Sequence, residues 1–211
     1  MKRKTLDIIV GLGLVVLAGL LLIAGLVLTS NANFANDYVK DQLGQQQITF
    51  KPADTLTAEE KQSACLVQYA GQQLTTGKQA ECYANEFIGL HLKSIAGGKT
   101  YAQLGDVQTG LKAKIAALPK DDPAVAGLQK QLTDTAAARE TVFKGETLRG
   151  LLLTSYGFSE FGTKATQAAL VAYGAAGLLL LLGAAGLIHA AATSGSKGFA
   201  VPDTAAALVN A

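Results

Sequence analysis

The chain has 211 residues, of which 49% are hydrophobic and 16% charged, and 18 Lys/Arg residues nearly balance 16 Asp/Glu residues. A protein that holds nucleic acid concentrates positive charge along the phosphate backbone. This sequence has no basic stripe, so its composition predicts no nucleic-acid partner.

The first element in chain order is an uncharged apolar segment at residues 8–28, which is 21 residues long. At about 1.5 Å per residue a helix of that length matches the roughly 30 Å hydrocarbon core of a bilayer. A second uncharged segment, rich in Ala, Gly and Leu, occupies residues 165–192 and can cross with some tilt. We therefore predict two transmembrane helices, with membrane lipids as direct neighbours.

The charges that flank the first segment predict the topology. Lys2, Arg3 and Lys4 precede it, whereas residues 30–36 carry no positive charge, so the positive-inside rule places residues 1–7 in the cytoplasm. Residues 29–164 are then extracytoplasmic, and the tail at residues 193–211 is cytoplasmic and, being rich in Gly, Ser and Ala, is predicted to be disordered. The predicted location is the plasma (inner) membrane.

A cleaved signal peptide is the competing interpretation of the N-terminal segment, because Ser30-Asn31-Ala32 resembles a cleavage site. Signal peptides have apolar cores of about 7 to 15 residues. The longer segment here favours an uncleaved anchor, and the second segment anchors the protein in either case.

Aromatic residues flank both apolar segments. Rings of this kind are typical of the headgroup layer, and ordinary packing between helices is the alternative. The five residues are Phe34, Tyr38, Tyr156, Phe158 and Phe161.

The middle of the chain is predicted to be helical throughout. Thr57 with Glu60, Thr76 with Gln79, and Thr100 with Gln103 have the spacing of a capping box, which marks a helix start. Gly97-Gly98 is predicted to end the second of these helices, whose apolar face includes His91. Pro123 is predicted to begin the last helix, whose apolar stripe runs through Phe143, Thr147 and Leu151. The first span is expected to continue through Phe34, Tyr38 and Leu43. Residues 47–50 are the only extended candidate. The predicted fold class is all-α, with an extracytoplasmic helical bundle that extends from the two membrane helices.

The two cysteines, Cys65 and Cys82, both lie in the predicted extracytoplasmic part, where paired thiols tend to form disulfides. Their midpoint falls inside the connection between two predicted helices, so an antiparallel hairpin brings them level. A metal pair or two free thiols remain as alternatives, although the spacing is not that of a zinc site.

From Cys65 through the second span, the sequence resembles a family of small two-span envelope proteins of actinobacteria. The resemblance implies the compartment and the architecture but no established activity, although some members carry a ring-opening dioxygenase label. The matching motifs are Tyr69-Ala70-Gly71-Gln72-Gln73, Thr76-Gly77-Lys78-Gln79-Ala80-Glu81, Tyr83-Ala84-Asn85, His91-Leu92, Gly97-Gly98-Lys99-Thr100-Tyr101-Ala102 and Glu146-Thr147-Leu148-Arg149-Gly150-Leu151-Leu152-Leu153.

The residue types argue against such an enzyme. A non-haem iron site needs about two His and one carboxylate, yet His91 is predicted outside and His189 near the cytoplasmic end of the second span. The sequence also carries none of the common nucleophile, phosphate-loop, dinucleotide or metalloprotease motifs. We therefore predict no catalytic residue, no metal and no cofactor.

A cluster near the turn between the second and third predicted helices could line a small polar pocket. Its residues are Tyr83, Asn85, Glu86, His91, Lys99 and Tyr101. Helix capping and interhelix hydrogen bonding are the alternatives for the cluster. For His91 they are a metal ligand, a pH sensor, or a partly buried ring that donates to a carboxylate or carbonyl.

Arg149 precedes the second span within a Leu-rich stretch, where it could bind a lipid phosphate or pair with Glu146 or Glu160. Small residues in the two spans permit the close backbone approach on which helix association in lipid depends. The predicted packing positions are Gly19, Gly25, Ala168, Ala172, Ala176 and Gly183. They serve either contact between the two spans or contact with another protein.

Two classes of function follow from this sequence. The leading one is a non-catalytic accessory or scaffold protein of the cell envelope that associates with other membrane subunits or with itself. The alternative is an extracytoplasmic sensor or binding protein for a small molecule or lipid, acting through a partner because the tail has no room for a signalling domain.

Overall fold

A computed structural model describes residues 2–194 of the chain. These residues fold into helices without a β-strand, in agreement with the predicted all-α class. They divide into two compact units. Unit 1 consists of residues 2–33 and 163–194, and unit 2 consists of residues 34–162.

Two long helices carry the two apolar segments. Helix α1 spans Arg3–Gln45, so the first segment continues through Phe34, Tyr38 and Leu43 without a break, as predicted. Helix α6 spans Pro123–Ala192 and contains the second segment. Both are long and apolar enough to cross a bilayer. The predicted tail lies outside the described residues, apart from its first two.

Unit 1 is built on small residues that recur at intervals of seven. A seven-residue repeat keeps one face of a helix against its neighbour, and Gly or Ala at that face lets the two backbones approach closely. The buried positions are Gly11, Ala18, Gly25 and Ala32 on α1 and Ala169, Ala176, Gly183 and Ala190 on α6.

The two helices of unit 1 touch where this repeat predicts. A Cβ atom added to Gly183 would lie 3.0 Å from the Gly11 backbone oxygen, and one added to Gly25 would collide with the Tyr173 ring. Asp7, near the N-terminal end of α1, pairs with His189, near the C-terminal end of α6, and their Oδ2 and Nδ1 atoms are 2.9 Å apart. The pair is therefore antiparallel.

Unit 2 has a core of larger side chains. Between α1 and α5, the chain forms α2 (Ala64–Gln68), α3 (Gly77–Cys82), a π-helix (Tyr83–Ile88) and α4 (Gly89–Ser94), with 3₁₀ turns at Ala53–Thr55, Glu60–Gln62 and Ile95–Gly98. Helix α5 spans Tyr101–Ala116. The buried core comprises Val39, Leu43, Phe50, Leu66, Leu74, Ala80, Cys82, Ala84, Ile88, Leu92, Leu104, Val142 and Leu152.

The extended candidate at residues 47–50 forms one bridge, and the predicted helix end at Gly97-Gly98 is found. Thr49 forms a single antiparallel bridge with Gln73, flanked by the bonds from the Phe50 amide to the Gln72 carbonyl and from the Leu74 amide to the Ile48 carbonyl. The helix that begins at Gly77 ends at the predicted Gly97-Gly98 pair, where Ala96 and both glycines have positive φ.

Two of the three predicted helix starts are confirmed. Thr76 and Thr100 cap α3 and α5 with complete capping boxes. The prediction at Thr57 is wrong: Thr57 and Glu60 exchange both capping hydrogen bonds, but only the 3₁₀ turn Glu60–Gln62 follows. The α-helix begins seven residues later, at Ala64, where the Ser63 hydroxyl accepts from the Leu66 amide.

The π-helix shifts the buried face away from the predicted one. Its wider turn places buried residues at strict intervals of four, namely Ala80, Ala84, Ile88 and Leu92. The sequence placed His91 on the apolar face by assuming α-helical spacing. Leu92 occupies that place instead, and His91 is exposed.

Candidate functional site

An apolar groove of about 650 Å³ lies between α1 and α6 in unit 2. We call it the α1–α6 groove. No lining residue carries a charge: they are Tyr38, Val39, Gln42, Leu43, Gln46, Ile48, Leu148, Leu151, Leu152, Thr154, Ser155, Gly157, Phe158 and Phe161. Pockets of about 300–1,000 Å³ with mostly apolar lining are typical of sites for small organic ligands.

The lining of the α1–α6 groove combines buried core residues with exposed side chains from other faces of the same helices. Val39, Leu43 and Leu152 are core residues that form the floor. Leu151 and Phe161 lie at the sides and are 62% and 74% exposed. The sequence predicted a stripe through Phe143, Thr147 and Leu151, but the buried large side chains of α6 in unit 2 are Val142 and Leu152, so the predicted stripe is displaced by one residue there.

Two of the three hydroxyl groups in the lining, those of Thr154 and Ser155, are already satisfied by their own helix, and the third belongs to Tyr38. Thr154 Oγ1 donates to the Gly150 carbonyl at 2.9 Å, and Ser155 Oγ donates to the Leu151 carbonyl at 3.2 Å. A hydroxyl bonded to its own backbone needs no water in the groove. An apolar occupant therefore leaves neither the Thr154 nor the Ser155 hydroxyl without a partner.

Aromatic rings gather at one end of the groove. The ring centroids of Phe34 and Tyr38 are 5.9 Å apart, and those of Tyr38 and Phe158 are 5.8 Å apart in an edge-to-face arrangement. Phe34 also meets Phe158 edge-on at 6.3 Å. The sequence left open headgroup contact or helix packing for these residues, and the three rings do pack on each other.

The predicted polar pocket does not form as one site. Asn85 and Glu86 line two small hollows of about 220 Å³ each, but the other four residues line neither. Tyr83 instead packs edge-on against Phe50 at 5.3 Å, and burial raises the pKa of its hydroxyl. Tyr101 holds the Arg139 guanidinium 4.0 Å above its ring. Lys99 is exposed beyond the glycine turn.

A buried carboxylate that the sequence did not single out lies close to His91. The Glu60 side chain is 1% exposed and accepts from Lys51 Nζ at 2.8 Å and from the Thr57 amide at 2.8 Å. Burial acts to raise its pKa, but the bonds from Lys51 and Thr57 and the charges of Lys51 and His91 outweigh that effect, so the pKa is lowered. Its place in the capping box was the available signal.

His91 lies near both kinds of acceptor that its third alternative named, a carbonyl and a carboxylate, although its ring is exposed rather than partly buried. Its Nδ1 atom is 2.7 Å from the Phe87 carbonyl, and its Nε2 atom is 3.7 Å from Glu60 Oε1. In the described residues no group of three or more His, Cys, Asp and Glu side chains is arranged to hold a metal ion.

Arg149 forms the pair that was the alternative to a lipid contact. Its Nη1 atom is 3.3 Å from Glu146 Oε2 and its Nη2 atom donates to Asn85 Oδ1 at 3.2 Å. Its Nε is buried, and no acceptor for it lies among the residues that the structure describes. Arg149 thus ties α6 to the π-helix.

Two further contacts hold the parts of unit 2 together. The sulfur atoms of Cys65 and Cys82 lie at disulfide-bonding distance with Cα atoms 6.0 Å apart, which is the proximity that the midpoint argument predicts. Lys78 donates to the Tyr156 hydroxyl at 3.0 Å and lies 3.3 Å from Glu160. These partners raise the pKa of the Lys78 ammonium.

The predicted small-residue positions of the spans differ in how far they are buried. Gly25, Ala176 and Gly183 are buried between α1 and α6 of unit 1, Ala172 is half-buried and Ala168 is exposed. Space for a side chain exists at Gly19, since nothing lies within 4 Å of an added Cβ. Ala18, Ala32, Ala169 and Ala190 are buried as well and were not among the predicted positions, although their spacing of seven is visible in the sequence.

A comparison with protein-family models found no match, and neither did comparisons with curated proteins and with solved structures. The resemblance to the actinobacterial family therefore remains an expectation from the sequence.

Proposed function

We propose that the protein is a non-catalytic accessory or scaffold protein of the bacterial cell envelope that assembles with other membrane proteins or with further copies of itself. The two apolar helices cross the plasma membrane, both termini are cytoplasmic, and unit 2 lies outside. The basic start of the chain supports this orientation, since Lys2, Arg3 and Lys4 precede α1's apolar segment and no Lys or Arg follows it until Lys40.

The observation that carries the proposal is a set of glycines that the helix pair does not explain. Gly11, Gly25 and Gly183 are required where α1 and α6 meet. Nothing lies within 4 Å of a Cβ added to Gly13, Gly19, Gly174 or Gly177. A glycine in a helix costs roughly 1 kcal/mol relative to alanine in water. In lipid, small residues on an outer face favour close contact with another helix.

The test compares variants of the full chain extracted in one mild detergent. Leu at both Gly174 and Gly177 keeps the span apolar but blocks a second helix, so we expect the protein to insert and to migrate on a native gel at a smaller size than wild type. The matched control is Gly127→Leu, which also replaces an open glycine of α6 but lies in unit 2. Unchanged migration of the double variant contradicts assembly through this face.

Topology has its own test. A membrane-impermeant amine reagent applied to intact cells should label Lys120 and spare Lys2 and Lys197. Lys120 is the better reporter than Lys78, because the partners of Lys78 keep it protonated and less nucleophilic. Labelling of Lys2 with protection of Lys120 would reverse the proposed orientation.

A second function, binding of an apolar ligand or lipid by unit 2, is favoured by one observation. The α1–α6 groove has no charged lining residue and a volume in the range of ligand sites. Acting through a partner, such a protein is the sensor that the sequence left as the alternative.

A further inference from the structure

We infer that the α1–α6 groove holds an acyl chain of a membrane lipid. The inference rests on the proposed membrane anchorage but not on the proposed assembly, since every lining residue belongs to unit 2.

The chemistry of the lining fits a hydrocarbon chain. Leu148, Leu151, Leu152 and Phe161 present apolar side chains, and the hydroxyls of Thr154 and Ser155 donate to their own helix. Gln42 and Gln46 provide the amide groups at the lining's edge. Burial of a methylene group in such a place is favourable, and no charge has to be desolvated.

The length of the groove suits a single acyl chain. Its α6 lining runs from Leu148 to Phe161, which is about 20 Å at the rise of an α-helix. Lipid chains of one leaflet span about half of a roughly 30 Å core, or about 15 Å, so one chain fits within that length.

The two helices that line the groove also carry the apolar segments that we propose to cross the bilayer, which is the proposed source of the lipid. Helix α1 carries both the apolar segment 8–28 and Tyr38, ten residues beyond Leu28, without a break. Helix α6 carries Phe161 four residues before Ala165, where its apolar segment begins. Both helices thus carry groove residues within ten residues of an apolar segment, and we propose this continuity as the route for transfer of a membrane lipid into the groove. Phe161, 74% exposed, provides apolar surface for that transfer.

The test uses the full chain reconstituted in phosphatidylcholine vesicles that contain a small fraction of phosphatidylcholine with a photoactivatable diazirine on one acyl chain. After irradiation, tryptic peptides 41–61 and 150–164 report the groove, and peptide 165–197 reports the second span. We expect all three to be labelled. Because the span peptide is an internal standard, its failure to label contradicts the proposed anchorage, whereas labelling of the span without the groove contradicts the acyl-chain inference.

A pair of matched variants separates a bound chain from chance contact with the bilayer. Nothing lies within 4 Å of a Cβ added to Gly157 or to Gly127, so both accept Leu, but only Gly157 lines the groove. Gly157→Leu should reduce labelling of the groove peptides about ten-fold, as expected when roughly two methylene contacts are displaced. Gly127→Leu should leave labelling unchanged. Groove labelling that is insensitive to Gly157→Leu overturns the inference.

Two further results would identify another occupant. A diazirine palmitic acid added from the aqueous phase tests a free fatty acid as the source, and labelling by it alone, without labelling by the phospholipid, overturns the assignment to a membrane lipid. Crosslinking of the groove peptides to a second polypeptide, with no lipid label on them, overturns it in favour of a protein partner.

Discussion

Helices α1 and α6 run through both units, and in each unit they use different side chains. In unit 1 their buried face consists of Gly and Ala at every seventh residue, from Gly11 to Ala32 and from Ala169 to Ala190. In unit 2 the same series on α1 reaches Val39, and larger residues such as Leu43 and Leu152 take over. Small residues close a helix pair completely, whereas large ones need additional elements around them and leave space between the helices.

Unit 2 provides those additional elements between α1 and α5. The segment between α1 and α5, with helices α2 to α4, the π-helix and the loops around them, supplies most of the core, which the proximity of Cys65 and Cys82 braces. The α1–α6 groove is the part of the enlarged interior that they do not fill. Substitutions that disrupt one unit at a time should therefore show whether the stability of that unit depends on close contact between two helices or on the core braced by Cys65 and Cys82.

The largest expected effect is loss of the brace in unit 2. Replacing both Cys65 and Cys82 with Ser removes a crosslink that closes 17 residues, which costs about 3 kcal/mol in the chain-entropy model. Hydrogen exchange of the full chain in vesicles should show faster exchange in residues 64–98, with no change in residues 8–28. Reduction of the wild-type protein should reproduce the pattern. Equal exchange before and after the substitution would show that the thiols are free in the native protein.

These local features of unit 2 differ in how far the sequence could predict them. The Thr76 and Thr100 capping boxes and Pro123 depend on residues within a turn of each other, so their effects on helix starts were predictable. The Cys65–Cys82 proximity also followed, because it depends on one hairpin. The π-helix was not predictable, since the expansion of Tyr83–Ile88 is stabilised by packing against distant elements rather than by a local motif.

The α1–α6 groove could not be predicted from the sequence for a different reason. Its lining joins residues 38–48 to residues 148–161, which are about one hundred positions apart in the chain. Hydrophobic periodicity gives the face of a helix but not the distance to a second helix. The unit 1 contact was within reach, because seven-residue spacing of Gly and Ala is a local signal. The predicted packing positions instead included residues such as Ala168 and Ala172, which are four residues apart.

The second-largest loss of stability is expected from a substitution in unit 1. Gly183→Leu places a side chain against the Gly11 backbone oxygen, which cannot rotate away, so we expect a destabilisation of about 2 kcal/mol, within the usual range for overpacking. Thermal unfolding followed by circular dichroism in detergent should show a lower midpoint. The control is Gly127→Leu, an open glycine of the same helix outside the proposed assembly face, where an added Cβ meets nothing within 4 Å. Equal loss in both variants would contradict a specific contact at Gly183.

A smaller effect is expected at the buried carboxylate of unit 2. Glu60→Gln keeps an acceptor for the Thr57 amide but removes the charge that pairs with Lys51, at a cost of about 1.5 kcal/mol at pH 7. Because the folded pKa of Glu60 is below the model-compound value of 4.5, its stabilisation is fully present above pH 4.5 and disappears as pH falls through the folded pKa. The stability difference between variant and wild type should therefore narrow on acidification below pH 4.5. A difference that grows there contradicts the lowered pKa.

The smallest effect is expected on the exposed surface of α6 in unit 2. Lys130 Nζ lies 2.7 Å from Asp134 Oδ2, one helical turn away, but both side chains are more than half exposed. Pairs of this kind contribute about 0.3–0.5 kcal/mol, because water screens the charges and two flexible side chains must be ordered. Lys130→Glu should therefore leave the unfolding midpoint within about 1 °C of wild type, given the few degrees expected per kcal/mol. It should also leave the native-gel migration unchanged, since we propose that assembly takes place through the apolar helices of unit 1. Dissociation of the Lys130→Glu protein, with intact assembly when Gly174 and Gly177 are both Leu, would place the assembly surface on unit 2 instead.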